Sequence, residues 1–142
     1  MNPVQSVGIV AFDSNGRILL VREEEGSSHL TGMYGLPAGR VEPNEANTET
    51  AAREFTEETG LTADKKDFLE FPDNFFIADI PRKDGTIKTF HHTVFLVRKF
   101  TGEIKPGLDT TAGWYSYEDV EKLDSEGKLL SNVLKAIDNT RS

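Results

Sequence analysis

One short stretch constrains this chain more than any other. It is a helix-forming run from Asn44 to Thr59, bracketed by Gly39 and Gly60, that carries its acids on one side. Pro43 and Asn44 supply start signals, with Asn44 the expected N-cap, and Gly60 sits where a C-cap glycine belongs. On a wheel turning about 100° per residue, with Glu54 at zero, Glu57 falls at about 300° and Glu58 at about 40°. Thr48, Ala51, Ala52 and Phe55 occupy roughly 60° to 160°, a narrow apolar stripe. Such a helix packs by one side and presents three carboxylates from the neighbouring side. Arg53, four residues before Glu57, can pair with it or orient it. Three hard oxygen donors on successive turns suit Mg²⁺ or Mn²⁺. An acidic helix face is by itself more often a solvated face, so the surroundings decide.

The acid is concentrated. From Arg40 to Leu61 there are six glutamates against two arginines, a local charge of −4 that costs stability unless cations neutralise it. The whole chain of 142 residues carries −8. A protein relying on contacts to a phosphate backbone needs the opposite sign, so no nucleic-acid polymer is expected as a partner. With 37% hydrophobic and 28% charged residues the chain reads as one globular domain, 1–142, without repeats or linkers. There is no cysteine, hence no disulfide or thiolate metal site. No run approaches the roughly 20 apolar residues of a membrane span, and the first residues lack the charged and apolar regions of a leader. A cytoplasmic location without membrane contact is expected.

Along the chain, Val4 to Phe12 reads as a strand, Asp13 to Gly16 as a turn with an Asn-Gly signal, and Arg17 to Arg22 as the returning strand. Glu23 to Gly32 is polar loop. Phe68 to Ile80 is extended with a break near Pro72-Asp73-Asn74, and Thr86 to Phe100 is a long strand after an Asp-Gly turn. The spacing then predicts loop from Gly102 to Gly113, a short strand at Trp114 to Tyr117, and a helix near Glu118 to Leu123. A last helix from about Ser125 has Leu130, Val133, Leu134 and Ile137 as its stripe. Strands with few, well-separated helices imply an α/β fold: a mixed sheet with helices on both faces.

The spacing around the acidic helix carries a resemblance. Gly39, five residues, Glu45, seven residues, then Arg53-Glu54-Phe55-Thr56-Glu57-Glu58-Thr59-Gly60-Leu61 is similar at every defined position to the Nudix box. That pattern is Gly-x5-Glu-x7-Arg-Glu-U-x-Glu-Glu-x-Gly-U, with U a bulky aliphatic or aromatic residue. Gly35 to Glu42 looks like the family's strand entering the box, and Gly113-Trp114-Tyr115 like its C-terminal element, so the resemblance covers about Val4 to Ile137. It implies a Nudix-type, MutT-like α/β/α sandwich, with the box, 39–61, as loop-helix-loop. It also implies Mg²⁺-dependent hydrolysis of a nucleoside diphosphate linked to another moiety.

Carried over by position, Glu54, Glu57 and Glu58 would be metal ligands, with Glu57 or Glu58 nearest the attacking water. Arg53 would orient a glutamate, and Glu45 would support the loop or reach metal through water. Gly39 and Gly60 would shape the box. Ala38 matches a position whose backbone carbonyl often binds metal, although many relatives have glycine there. Tyr34 stands where relatives often have tryptophan. Outside the box, Arg22 at a strand end and His29 in the loop are candidates for phosphate contact. Asp109 is a candidate fourth carboxylate, as some relatives have. His91 and His92, adjacent on a strand, point to opposite faces and cannot chelate together, so ordinary sheet positions are expected. Phe75, Phe76 and Phe90 could stack a base, with core packing expected for most of them.

The reading of function is a small-nucleotide pyrophosphohydrolase, led by cleavage of a nucleoside triphosphate to monophosphate and pyrophosphate. An ADP-ribose or nucleotide-sugar pyrophosphatase is the alternative. ADP-ribose enzymes of the family tend to have a proline about 16 residues after the box, where Ile77 stands here. Dinucleoside polyphosphate enzymes tend to have a tyrosine nearby, and Ile77, Ala78 and Asp79 offer none. A non-catalytic nucleotide-binding module is the reading of another class, but such modules usually lose box glutamates and this chain keeps them all. The oligomeric state stays open, a homodimer included.

Overall fold

In a computed structural model of the chain, the residues described are 3–23, 32–81, 84–105 and 110–141. Val4–Ala11 (β1) lies at the centre of a four-stranded sheet. It pairs antiparallel with the three-residue Ala38–Arg40 (β4) and parallel with Ile87–Val97 (β6), whose outer neighbour is Leu69–Pro81 (β5). Ile18–Glu23 (β2) is the middle of a second sheet, between Tyr34–Gly35 (β3) and Thr110–Tyr115 (β7). The Asn-Gly signal does mark a turn. Gly16 takes φ 77°, and the Asp13 carboxylate accepts from the Asn15, Arg17 and Arg17 Nε N–H groups. The strands it joins part at once, meeting only at Phe12 and Ile18 before entering different sheets.

Period-2 alternation sorts the strands into two cores. Val7, Ile9 and Ala11 of β1, Leu19 of β2, and Phe95 and Val97 of β6 face the helix Asn47–Thr59 (α1), where Ala51 and Phe55 close the layer. Val10, Ile18, Leu20, Val94 and Leu96 face the other way. They meet Val120 of Tyr117–Ser125 (α2) and Val133, Ala136 and Ile137 of Val133–Thr140 (α3). Helices on both faces explain why β1 is buried continuously from Ser6 to Ala11 instead of alternating in exposure. The result is a mixed sheet inside an α/β/α sandwich. Among the described residues no helix is long and apolar enough to cross a membrane.

Three boundaries differ from the sequence reading. Strand β7 begins at Thr110, within the expected loop, because residues 110–115 complete β2's free edge. The break at Pro72 to Asn74 is a register shift within β5 and not an end, since Asn74 is buried and donates to the Ala136 carbonyl at 3.2 Å. The last helix starts at Val133 and not near Ser125. Gly127 and Asn132 take positive φ, and the intervening chain runs extended along β3, where the Tyr34 and Leu130 N–H groups donate to the Lys128 and Tyr34 carbonyls. Leu130 therefore packs on the core from outside the helix.

Candidate functional site

The acidic helix is set by the turn before it. Pro43 and Asn44 form the corner of a turn in which the Glu45 N–H donates to the Glu42 carbonyl at 3.1 Å, with Asn44 at φ 66°. A proline followed by a residue at positive φ is type II turn chemistry, so Asn44 is a turn residue and not the N-cap. The N-cap is Ala46, and the Glu49 carboxylate accepts its N–H at 3.0 Å. At the other end Gly60 takes φ 83° and its N–H donates to the Thr56 carbonyl at 2.9 Å. A side chain there would also press within 2.9 Å of the Glu103 carbonyl and the Lys105 backbone. The buried face is Thr50, Ala51, Phe55 and Thr59; Thr48 and Ala52 of the expected stripe are only partly buried, and two threonines take their place. Both satisfy their hydroxyls locally, Thr59 on the Phe55 carbonyl and Thr50 on Glu45.

Arg53 is the hub. Its Nε and Nη2 bind the two oxygens of Glu45 at 2.9 and 3.0 Å, and its Nη1 reaches Glu54 at 2.7 Å and Glu57 at 3.3 Å. Nη2 also donates to the Arg40 carbonyl at 3.2 Å, tying the helix to β4. Glu45 in turn accepts from the Glu42 N–H and the Thr50 hydroxyl. The Arg53 guanidinium holds the Glu45 carboxyl down at about 2, helped by those two donors, and Glu45 raises the affinity of Arg53 for its proton. Glu54 goes the other way. Burial pushes its carboxyl above the ordinary range and repulsion from Glu57 and Glu45 adds to this, while Arg53 opposes it. The two-point Glu45–Arg53 clamp was not foreseen in the sequence. Glu45 precedes the helix proper, and a residue eight positions before Arg53 is not a helix neighbour.

Two contacts bring the glutamates to β4. Gly39 faces α1, and a Cβ on it would overlap the Glu54 carboxylate, so only glycine admits that side chain against the strand. The Ala38 N–H donates to Glu58 at 2.6 Å. Glu54 and Glu58 are thus partly buried against the edge strand, and Glu57 is exposed beside them. Among the described residues no three acidic or imidazole side chains already enclose a point as a cation would require. The donor set is nevertheless all carboxylate and carbonyl oxygen, on one helix face and one strand edge, which suits a hard divalent ion.

Elsewhere, Arg22 is exposed at the end of β2 with its guanidinium 5.9 Å from the centre of the Tyr34 ring, and Tyr34 meets Tyr115 edge-on at 5.7 Å. His29 and Asp109 lie outside the described residues. His91 and His92 do face opposite ways: His91 lies against Phe75, and His92 is hydrogen-bonded to Ser6. Of the three phenylalanines only Phe76 is core. Phe75 is 47% exposed, and Phe90 is half-buried beneath the Arg40 guanidinium. An open depression of about 700 Å³ between Thr62–Asp67 and Arg98–Thr101 includes none of the expected site residues.

Comparison with known proteins gives the fold and the family. The fold matches the MutT NUDIX hydrolase of Burkholderia pseudomallei with a TM-score of 0.74 at 22% identity, covering 99% of this chain and 100% of that one. It matches the NUDIX domain of Shewanella oneidensis NrtR, solved with ADP ribose, with a TM-score of 0.77 at 16% identity, over 99% and 88% of the two chains. The family model described as NUDIX domain matches residues 2–136, and the chain belongs to that family. Among curated relatives, the RNA pyrophosphohydrolase of Bradyrhizobium sp. (strain ORS 278) is 36% identical over 78 residues, 54% of this chain and 45% of that protein. The chain thus spans less than half the length of that relative.

Proposed function

We propose that this domain hydrolyses a diphosphate linkage in a small nucleotide, with a nucleoside triphosphate cleaved to monophosphate and pyrophosphate as the leading substrate class. The observation that carries the reading is the glutamate face of α1 held against β4, with Glu54 in the notch of Gly39, Glu58 on the Ala38 N–H, and Arg53 bracing Glu54 and Glu57. Glu54, Glu57, Glu58 and the Ala38 carbonyl would hold Mg²⁺, or Mn²⁺ in its place. Such an ion neutralises phosphate charge and lowers the pKa of water.

The chain's own residues then divide the work. Arg53 spends its other donors on Glu45, so its guanidinium cannot swing away and Glu54 keeps one orientation. Glu57 or Glu58 takes the proton from the attacking water, Glu57 being the more exposed of the two. Arg22 and His29 would supply phosphate contact, and Asp109 a further carboxylate. The net charge of −8 favours a small nucleotide over a polymer. The fold likeness to a domain solved with ADP ribose supports ADP-ribose or a nucleotide sugar as the second substrate reading.

The test is a nucleotide panel incubated with Mg²⁺, with both products identified. Release of pyrophosphate from triphosphates supports the lead, and AMP with ribose 5-phosphate from ADP-ribose supports the second. Failure to turn over any member ends the enzyme reading and leaves a nucleotide-binding module. Catalysis by ionised carboxylates predicts an alkaline optimum, and a rate maximum below about pH 6 contradicts it.

A further inference from the structure

The two edges of the four-stranded sheet are unlike. β4 is three residues long and lies against the glutamates, whereas β5, the other edge, runs for 13 residues. Up to Asn74 the β5 edge is protected. Pro72 lacks an N–H, the register slips between Glu70 and Phe75, and Asn139 of α3 donates to the Asp73 carbonyl at 3.2 Å. From Phe75 to Ile80 the ladder with β6 is regular, and the outer side has no partner strand among the described residues. This stretch, Phe-Phe-Ile-Ala-Asp-Ile, is rich in β-forming residues and holds no proline, lysine or arginine to discourage pairing. Its one charge, Asp79, accepts from the Thr89 hydroxyl of β6 at 2.6 Å.

The side chains point the same way. By register Phe75, Ile77 and Ile87 share the sheet face that carries Phe95, but they lie past the layer of α1. They are 47%, 63% and 61% exposed, with His91 half-buried against the Phe75 ring. Grouped apolar side chains beside an open, unprotected edge mark an interface.

A second copy of the chain fits both features at once. Two identical edges pair antiparallel about a two-fold axis, and that contact closes at two chains. Charge selects the register. An axis at Phe76 would set Asp73 against Asp79 of the other copy. An axis at Ile77 sets that side chain, the most exposed of the patch, against itself and opposes no like charges from Phe75 to Asp79.

We infer that β5 is a homodimer edge: residues 75–79 of two chains pair antiparallel about Ile77, joining two four-stranded sheets into one. The pairing is independent of the hydrolase reading, because the glutamates lie at the opposite edge. So short an edge buries less than the roughly 800 Å² per partner of a standard interface, and association in the micromolar range is expected.

The chain has no cysteine, which makes the axis directly readable. Opposed Cα atoms of antiparallel strands lie about 4.5–5.5 Å apart, within disulfide reach. Oxidised with copper phenanthroline in air, Ile77→Cys should run as a covalent dimer on a non-reducing gel. Leu69→Cys, similarly exposed but beyond the register slip, should stay monomeric. Sedimentation equilibrium should show monomer and dimer for the wild type. Ile77→Lys, which opposes like charges at the axis, should weaken the dimer by at least about tenfold. A wild-type chain still monomeric at about 500 µM overturns the inference and leaves the edge to a strand of another protein. Equal crosslinking at both positions overturns it too, as does a dimer indifferent to Ile77→Lys. Should Ile77→Lys fail to fold, hydrogen exchange of the wild type decides. Amide protection in residues 75–79 that rises with concentration supports the pairing, and protection independent of concentration overturns it.

Discussion

The two helical layers of this domain are built on the same principle and end differently. α1 buries a stripe of small and aromatic residues, Ala51 and Phe55, and sets its remaining surface with charge: Arg53 reaches Glu45, Glu54, Glu57 and the Arg40 carbonyl. α3 buries Val133, Ala136 and Ile137, and its polar side chains tie down neighbouring elements, with Asn139 donating to Asn74 of β5 at 2.8 Å and Asp138 accepting from the Tyr117 hydroxyl of α2. Loss of apolar contact should therefore hurt the α3 side in stability. Loss of single polar atoms should hurt the α1 side in activity. A site made of braced carboxylates occupies a surface that the core does not need.

The sharpest way to break this contrast is at Glu58. Glu58→Gln keeps shape but removes the ionised carboxylate, and kcat should fall by roughly 10²- to 10⁴-fold while the melting temperature stays near wild type. Gln variants of both Glu57 and Glu58 that match the wild-type rate would sink the site assignment. On the other face, Ile137→Ala should cost about 2–5 kcal/mol in denaturant unfolding, with kcat per folded molecule unchanged, because the side chain is fully buried away from the glutamates. Gly39→Ala should lower kcat roughly 10²-fold by displacing Glu54, with little change in substrate affinity. Steady-state kinetics that show no change there would mean Glu54 has room the structure does not show.

The smallest effect expected is an acid dependence of the Arg53 brace. The Glu45 carboxyl is depressed to about 2 in the fold, below its ordinary value of 4.5 in the unfolded chain, so its contribution is present above 4.5 and is lost as pH falls through about 2. Thermal melts of wild type and Glu45→Gln should differ most above pH 4.5 and converge toward pH 2. A gap that widens on acidification would reverse the sign and remove Glu45 from the brace.

The acidic helix was legible because its information is local. Glycine at 60, the order of acids, and the 3.6-residue period set which side chains share a face, whatever the rest of the chain does. The long strands β1, β2, β5 and β6 were legible for the same reason, through period-2 alternation and turn residues, whereas most of β7 fell in the expected loop. The start of α3 was not, because Leu130 fits the helical stripe equally well while its backbone is claimed by β3. Nor was the role of Asn44, where proline before a residue able to adopt positive φ favours a turn over a cap.

By itself, then, the sequence determined the family, the mixed α/β architecture, and the face of α1 on which Glu54, Glu57 and Glu58 lie. Only the tertiary structure decided what those residues lean on. Gly39 opens β4 to Glu54, the Ala38 N–H holds Glu58, and Glu45 closes on Arg53 from outside the helix. It also placed Ser6, Gly8 and His92 together, 86 residues apart between Ser6 and His92, through a parallel pairing of β1 with β6. Such contacts depend on strand order, and strand order is settled by which faces the whole chain can bury at once, not by any local run of residues.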